Sequence, residues 1–307
     1  MVRAALMVAM LGLALPGTAH AYGWPVKPFN RMHAIRGGFD DPRFHLATNL
    51  TTSQSFHFGV DIAAPDDTPV YAVEPGIVVR GAQSVSLRRP NRREFGYWHI
   101  IPAVHTGEHV RLHQLLGYIA PGWGHVHFAE TVAGSYRDPL RPGALTPYHD
   151  DNVPVVDAIS VVHLDGHTLQ SVAPAAVSGT VALIADAYEL PSIAPPPPWN
   201  RARITPSLVR WRIIPAGGDP PGPWHTAADF RYRLEPESAF SRIYAPGTYQ
   251  NKPNRPGDYR FWLTTSFDTA SLPDGVYWVD VQALNLAGEP GEDMMQLTVV
   301  NSLAQKS

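Results

Sequence analysis

The sequence lacks cysteine, any apolar run long enough to cross a membrane, and any excess of basic residues. Without cysteine there are no disulfides, cysteine-ligated zinc sites, iron–sulfur clusters, thiol nucleophiles or lipidated N-terminal cysteines, so a metal must be held by histidine and carboxylate. A bilayer span takes about 20 apolar residues, and the run near the N-terminus has 12. The formal net charge of -3 gives no electrostatic reason to expect nucleic acid as a partner.

Proline, glycine and histidine are abundant. The 307 residues are 44% hydrophobic and 17% charged, as in a globular protein. At roughly 150 residues per domain, this length predicts two domains. The 31 prolines and 25 glycines imply many turns, which favours an all-β fold over a helical bundle. Of the 14 histidines, nine lie between His33 and His127, so we expect histidine chemistry in the first half of the chain.

The first 21 residues have the pattern of an export signal. Arg3 supplies a positive charge, Ala4 to Leu15 form a short apolar run, and Ala19-His20-Ala21 is a small-residue cleavage site. We predict that residues 1–21 are removed and that the mature chain begins at Tyr22. It would then be secreted, periplasmic or held in the cell envelope, with no membrane span after cleavage. The alternative is an uncleaved N-terminal anchor.

Short β segments separated by turns predict two domains, at residues 22–150 and 151–307. In the second, six or more spaced strands without intervening helices suggest a β-sandwich. In the first, Val70–Val73 and Ile77–Arg80 flank a Pro-Gly turn and are expected to pair as a hairpin. Pro191–Pro198 carries five prolines in eight residues, which predicts a stiff loop crossing the sandwich or else a domain boundary.

Two short segments carry the residues of a candidate metal site. Alternation along one predicted strand places His57 and Asp61 on the same face, and the side-chain-free Gly59 between them leaves room for an ion. In the other segment, His125 and His127 share a face. Histidine and aspartate suit a borderline cation such as zinc, in an open three-ligand site or a closed four-ligand site. Taken singly, each pair also fits a surface strand with ordinary polar residues.

Four sequence blocks between about residues 35 and 142 form a recognisable set. They are His57-x-x-x-Asp61, Asp67–Ala72, Tyr97-Trp98-His99 and His125-Val126-His127-Phe128. With the opening segment Gly37–Arg43, they resemble, in order, the signature of the lysostaphin-type, LytM-like zinc endopeptidases. The resemblance implies the duplicated hybrid motif fold and an enzyme that cleaves peptide cross-links of bacterial peptidoglycan.

The resemblance also implies roles that spacing does not show. His57, Asp61 and His127 would hold one zinc ion per chain. His99 and His125 would be catalytic histidines outside the ligand set. One would take a proton from the attacking water, and the other would stabilise the oxyanion and protonate the leaving amine. We prefer His125 as the base, although the two roles could be exchanged.

Some features near these blocks depart from the family pattern or are open to two interpretations. His113 stands where the family usually has glycine. Ala129 stands where an acidic residue often follows the last block, with Glu130 one position later. Both departures bear on substrate preference. Trp98 and Trp123 flank the histidines and would either wall a groove or pack against the sheet.

Three functions compete on the sequence alone. The first is a secreted zinc endopeptidase acting on peptidoglycan. The second is a non-catalytic, zinc-holding cell-wall binding or regulatory protein on the same fold, which is normally marked by a lost ligand; none is lost here. The third is a secreted adhesion or carbohydrate-binding β-sandwich whose first domain is a scaffold. Leu272–Gly288 resembles the penultimate strand and turn of immunoglobulin-like modules, so the second domain is expected to be an immunoglobulin-like β-sandwich.

Overall fold

The computed structural model describes residues 21–46, 52–166, 168–218 and 220–304. The predicted export signal therefore lies outside the described residues, except for Ala21. The predicted all-β class is confirmed, because the helices in the described ranges are single short turns. They are Glu237–Ala239 and Thr269–Ser271, both 3-10, with α1 (Phe240–Ile243) and α2 (Asn301–Ala304). None of them has the length and apolar character needed to cross a bilayer.

Thirteen strands in the described ranges precede residue 150. They are β1 (Ile35–Gly37), β2 (Pro42–Leu46), β3 (Thr52–Phe56), β4 (Val60–Ala63), β5 (Pro69–Tyr71), β6 (Gly76–Arg80), β7 (Ser84–Arg88), β8 (Arg93–Trp98), β9 (Ile100–Pro102), β10 (His109–Val110), β11 (Leu115–Ile119), β12 (His125–Val132) and β13 (Ser135–Arg137). A large sheet has the order β1-β4-β12-β8-β7-β6-β10, with β13 paired to β12. A small sheet has the order β5-β11-β9, and β2 pairs with β3 as a separate ribbon.

The core of this half is formed jointly by the large and small sheets. Ile62 on β4 and Phe128 on β12 lie in the same buried cluster as Leu116 and Ile119 on β11. All four are fully buried, and burial of one such side chain stabilises the fold by about 1.5–3 kcal/mol. Because successive strand residues point to opposite faces, burial of Phe128 directs His127 to the other face of the large sheet.

Strand register in the centre of the large sheet brings the site residues together. β12 lies between β4 and β8, and His127 is paired with Asp61 on one side and Trp98 on the other. His125 is paired with Ala63, two positions further along β4. These antiparallel ladders place His125, His127 and Asp61 on one rigid surface.

The hairpin expected from Val70–Val73 and Ile77–Arg80 is wrong. β5 pairs with β11 in the small sheet, whereas β6 pairs with β7 and β10 in the large one. The Pro-Gly segment instead carries the chain between sheets. It is held there because the Val73 N–H donates to the Tyr97 hydroxyl at 3.0 Å and the Glu74 carboxylate pairs with Arg93 at 3.0 Å.

The continuous strand expected through His57, Gly59 and Asp61 is also wrong. β3 ends at Phe56 and β4 begins at Val60, so His57 lies in the link between the ribbon and the large sheet. The backbone of His57 is instead bound to the turn before β2: its N–H donates to the Asp41 carbonyl, and the Asp40 N–H donates to the His57 carbonyl, both at 2.9 Å. His57 and Asp61 still reach the same place, but by a change of direction rather than by alternation.

The described part of the second half contains two four-stranded antiparallel sheets. Their strands are β14 (Val155–Asp165), β15 (Thr168–Val172), β16 (Thr180–Tyr188), β17 (Leu208–Pro215), β18 (His225–Asp229), β19 (Arg260–Asp268), β20 (Gly275–Leu284) and β21 (Pro290–Val299). The orders are β15-β14-β16-β19 and β18-β17-β20-β21, and both sheets contribute to one buried cluster. Pro191–Pro198 lies between β16 of one sheet and β17 of the other, which confirms the predicted crossing loop. The immunoglobulin-like classification stays a prediction.

The ribbon β2–β3 joins the two halves. Phe56 at the end of β3 belongs to the buried cluster of the sandwich. The Thr205 N–H donates to Asp41 Oδ1 at 2.8 Å, and the Tyr244 hydroxyl donates to the Asp40 carbonyl at 2.9 Å. The sheets of the two halves are separate on either side of residue 150, but the boundary between independently folding domains stays a prediction.

Candidate metal centre

Three of the predicted site residues meet in a tight triangle of ligand atoms. His57 Nε2 lies 2.8 Å from His127 Nδ1, and Asp61 Oδ1 lies 3.1 Å from the first and 3.2 Å from the second. Tetrahedral zinc with bonds of about 2.0–2.2 Å spaces its ligands about 3.3 Å apart. The sides of the triangle are about 0.1–0.5 Å shorter than this, so small outward movements of the side chains would admit the ion. Within the described ranges, these residues form the only cluster of three or more histidine, aspartate or glutamate side chains that could hold a metal ion.

Two of the three candidate ligands are oriented by a second contact. His57 donates its Nδ1 proton to the Gly38 carbonyl at 2.6 Å, which leaves the Nε2 lone pair free to face the triangle. The other oxygen of Asp61, Oδ2, accepts from Arg43 Nη2 at 3.1 Å. Such contacts fix the ligand atoms before a metal arrives.

His127 is oriented by packing. Its ring lies between Phe58 and Trp98, with centroids 4.4 Å and 5.1 Å away in edge-to-face geometry. A Cβ added to Gly59 would lie 2.9 Å from His127 Nε2 and would overlap the Phe128 carbonyl oxygen. Gly59 therefore leaves room for the ring of His127 and the backbone of β12, not for the ion as the sequence suggested.

Electrostatics in the triangle favour the protonation states that bind a metal. Burial, assisted by Arg43, lowers the pKa of His57 to about 3. Burial also lowers the pKa of His127. For Asp61, burial raises the pKa, but the surrounding histidines outweigh it, and the net pKa lies well below the usual range. Neutral imidazoles and an ionised carboxylate are the forms that coordinate zinc.

His125 lies beside the triangle with an acceptor at each ring nitrogen. Nδ1 donates to the Trp123 carbonyl at 2.8 Å, and Nε2 lies 3.3 Å from Asp61 Oδ1. Because Nδ1 already donates to a carbonyl, Nε2 is the nitrogen that can take up a proton, and Asp61 Oδ1 lies next to it, which suits a general base. His125 is not a member of the cluster in which every pair of ligand atoms lies close together.

His99 occupies the link between β8 of the large sheet and β9 of the small one. Its φ of 66° is left-handed, a conformation that costs a non-glycine residue about 1–3 kcal/mol and is concentrated at functional sites. The ring stacks on Trp123 with centroids 3.6 Å apart, and it lies 4.6 Å from the ring of His125. Burial, followed by the proximity of His125, lowers the pKa of His99 to about 3, so the ring is a neutral donor.

All five predicted residues line one cleft of about 410 Å³. Trp98 and Trp123 also line it, so both tryptophans wall a groove. Among the other residues of the lining are Arg36, Phe58 and, from the second half, Trp199, Gln250 and Asn251, none of which the sequence singled out as a site residue. No local sequence motif marks these last three residues. They are more than 70 residues beyond His127 in the sequence and reach the cleft only when the chain folds.

The two departures from the family pattern have structural explanations. His113 has a φ of 60°, a left-handed conformation that glycine adopts without strain, and its ring stacks on Phe29. Glu130 is fully buried on β12, three residues beyond His127, where it accepts hydrogen bonds from Tyr22, Arg93 and Arg141 at 2.6–3.0 Å. It anchors β12 from the far side of the sheet and lies outside the cleft lining.

No protein-family model and no curated protein matches this chain. Solved structures are similar to about two fifths of it. A zinc-containing peptidase from Vibrio cholerae is 24% identical, with 39% of each chain covered and a TM-score of 0.31. The deep-sea M23 metalloprotease pseudoalterin is 14% identical over 40% of this chain and 76% of its own, with a TM-score of 0.27. A chain of the SpoIIIAH–SpoIIQ complex is 19% identical over 39% and 97%, with a TM-score of 0.32. The chain thus spans 39% of the Vibrio cholerae peptidase.

Proposed function

We propose that this protein is a secreted zinc endopeptidase that hydrolyses peptide bonds in the cross-links of bacterial peptidoglycan, in cell-wall remodelling or lysis. The observation that carries the proposal is the triangle of His57 Nε2, Asp61 Oδ1 and His127 Nδ1. Two further histidines lie beside the triangle in the same cleft. The ordered sequence blocks that resemble lysostaphin-type enzymes supply the substrate class.

The ligand set suits one zinc ion per chain, held by His57, Asp61 and His127. When bound in such a site, zinc supplies Lewis acidity, which acidifies water and polarises a carbonyl group. Three protein ligands leave coordination space for water and substrate, as catalytic sites require. The half-buried rings of Phe58 and Trp98 pack against His127 and limit access of bulk water to it.

The two remaining histidines have geometries suited to different tasks. His125 accepts the proton of the attacking water at Nε2, and the Trp123 carbonyl and the Asp61 carboxylate stabilise the resulting imidazolium. His99, neutral and held in place by its stack on Trp123, donates a hydrogen bond to the oxygen on which negative charge develops. The leaving amine then takes its proton from the His125 imidazolium, which returns His125 to its neutral form. Each contribution is typically worth about 10² to 10⁴ in rate.

The contacts of Tyr22 are compatible with the proposed cleavage after Ala21. Ala21 is exposed, whereas Tyr22 is buried with its hydroxyl donating to Glu130 at 2.8 Å. Cleavage after Ala21 would leave this buried contact intact. An intact mass beginning at Tyr22 in material from the producing cell supports the prediction, whereas a mass beginning at Met1 or Val2 contradicts it.

The function is tested by incubating the purified chain from Tyr22 to Ser307 with intact peptidoglycan. We expect new amino groups and smaller fragments, lost on chelation and restored by zinc. A variant of an exposed histidine, His163→Ala on β14, is the matched control and should cleave normally. Zinc binding without any cleavage would contradict the enzyme and leave the binding or regulatory alternative.

A further inference from the structure

Arg36 is a charged side chain in the cleft that has no charged partner. It lies on β1, next to β4, which carries Asp61, and it lines the same cleft as the candidate metal centre. Across the described ranges, its guanidinium forms no ion pair and no hydrogen bond. Arg43, the other arginine in the cleft, is bound instead by Asp61 and Asp41 at 3.1 Å and 3.5 Å.

The guanidinium of Arg36 is held in place by stacking. Its central carbon lies 4.3 Å from the ring centroid of Trp199, which follows the proline-rich loop of the second half. Stacking occupies a face of the planar group and leaves the N–H donors at its edge free. Gly124 directly precedes His125 in the sequence. Arg36 Nη1 lies 3.8 Å from the position that a Cβ on Gly124 would occupy. The free donors are thus close to the residues proposed to carry the chemistry.

A half-buried guanidinium to which no carboxylate is directly bound is energetically unfavourable. Burial lowers the pKa of Arg36 by more than the nearby Asp61 carboxylate raises it, which reflects the cost of keeping this charge away from water. Arginine nevertheless stays protonated, and its planar fork matches a carboxylate with two parallel hydrogen bonds. The group that satisfies Arg36 would therefore come from a molecule in the cleft.

We propose that Arg36 binds a carboxylate of the substrate close to the scissile bond, so that the enzyme selects acidic peptides; this rests on the proposed peptidase function. The second half contributes to that selection through Trp199, which sets the plane of the guanidinium. The carboxylate could be a C-terminal group or the side chain of an acidic residue. Both offer the same pair of oxygens.

The proposal is tested with cross-linked peptides in which the terminal carboxylate, the side-chain carboxylate or both are converted to amides. We expect the wild-type protein to cleave the peptide with free carboxylates faster than the amidated peptides. The carboxylate whose conversion to an amide slows cleavage is the one that Arg36 binds. The Arg36→Gln variant should lose about 10- to 100-fold in kcat/KM on the acidic peptide and little on the diamide. Arg36→Lys should recover part of the loss, because it keeps the charge without the fork.

Arg80→Gln, at an exposed arginine on β6 outside the cleft, is the matched control and should leave both substrates unaffected. Equal cleavage of acid and diamide by the wild-type protein would overturn the proposal. So would an equal loss on both substrates in Arg36→Gln, because it would indicate a merely structural role.

Failure of the peptidase proposal is distinguishable by binding. The same acidic and diamide peptides are titrated into chelator-treated protein. Without zinc the protein neither cleaves the peptides nor binds their carboxylates through the metal, so the titration measures binding by the protein's own residues. The acidic peptide should bind the wild-type chain at least tenfold more tightly than the diamide, and Arg36→Gln should abolish the difference. Equal affinities would refute carboxylate recognition even if peptidoglycan were cleaved.

Discussion

Replacing Gly59 with alanine should disturb the candidate metal centre without removing any ligand. The added methyl group would lie 2.9 Å from His127 Nε2 and would overlap the backbone carbonyl of Phe128. The second clash is with main-chain atoms in the centre of the large sheet, so no rotation of a side chain relieves it. β12 and the link before β4 must move apart.

The size of the effect follows from these contacts. Ordinary van der Waals contact begins near 3.4 Å, so the ring of His127 must shift by about 0.5 Å. Metal–ligand distances tolerate only about 0.2 Å, and loss of supporting contacts typically weakens metal affinity about 10- to 100-fold. Overpacking of this kind costs about 1–3 kcal/mol, which lowers Tm by about 2–4 °C per kcal/mol in a domain of 150 to 250 residues.

The assay pairs a chelator-competition measurement of zinc affinity with thermal unfolding of the metal-free protein. Gly217→Ala is the control, because a Cβ there would meet no atom within 4 Å and the backbone is not left-handed. We expect Gly59→Ala to lose at least tenfold in zinc affinity and to melt earlier than the control. Zinc affinity and melting temperature equal to those of Gly217→Ala would refute the packing argument.

Three further predictions concern buried charge and the second catalytic histidine. Glu130→Gln should lower the free energy of unfolding by about 3–5 kcal/mol at neutral pH, because it leaves Arg141 without its carboxylate and Arg93 with that of Glu74 alone. Glu94→Gln, in an exposed pair, should cost under about 1 kcal/mol, and equal urea midpoints for the two variants would contradict this. Burial raises the pKa of Asp138 from 3.8 to about 7. Folding therefore takes up a proton at this group, so its contribution to the free energy of unfolding should fall as pH rises from about 4 to 7, opposite in sign to that of the buried histidines whose pKa is lowered. The free energy of unfolding of Asp138→Asn minus that of the wild type should therefore rise by up to about 4 kcal/mol across this range, and parallel pH profiles would contradict it. His99→Ala should keep one zinc per chain after dialysis while cleaving about 10² to 10⁴ times more slowly, and loss of its zinc would be the opposing result.

Local pattern predicted the parts of the fold that depend on alternation. Val126 and Phe128 are fully buried in the core, as period two along β12 requires, and their neighbours His125 and His127 line the cleft on the opposite face. The all-β class followed from turn residues spread along the whole chain. The ligand and catalytic assignments stay predictions, although the geometry of the three proposed ligands fits the proposed metal.

The errors arose where tertiary contacts override local signals. A Pro-Gly pair normally marks a hairpin, but here Glu74 is bound by Arg93 on β8 and by Arg89 in the turn before it, and the chain changes sheets. The alternation through Gly59 suggested an unbroken strand, yet backbone hydrogen bonds from Asp40 and Asp41 hold His57 in a link. Trp199 reaches the cleft because the crossing loop packs against the first half, which no periodicity in the sequence encodes.

Zinc content after dialysis, measured together with peptidoglycan cleavage for His125→Ala and His127→Ala, tests the central claim most directly. These side chains lie two residues apart on β12, so the same strand presents both, and His163→Ala serves as the matched control. We predict that His127→Ala loses zinc and activity together, because two ligands remain. His125→Ala should keep about one zinc per chain and lose about 10² to 10⁴ in rate. If His125→Ala loses its zinc as readily as His127→Ala, the site is a closed four-ligand centre and the peptidase mechanism is wrong.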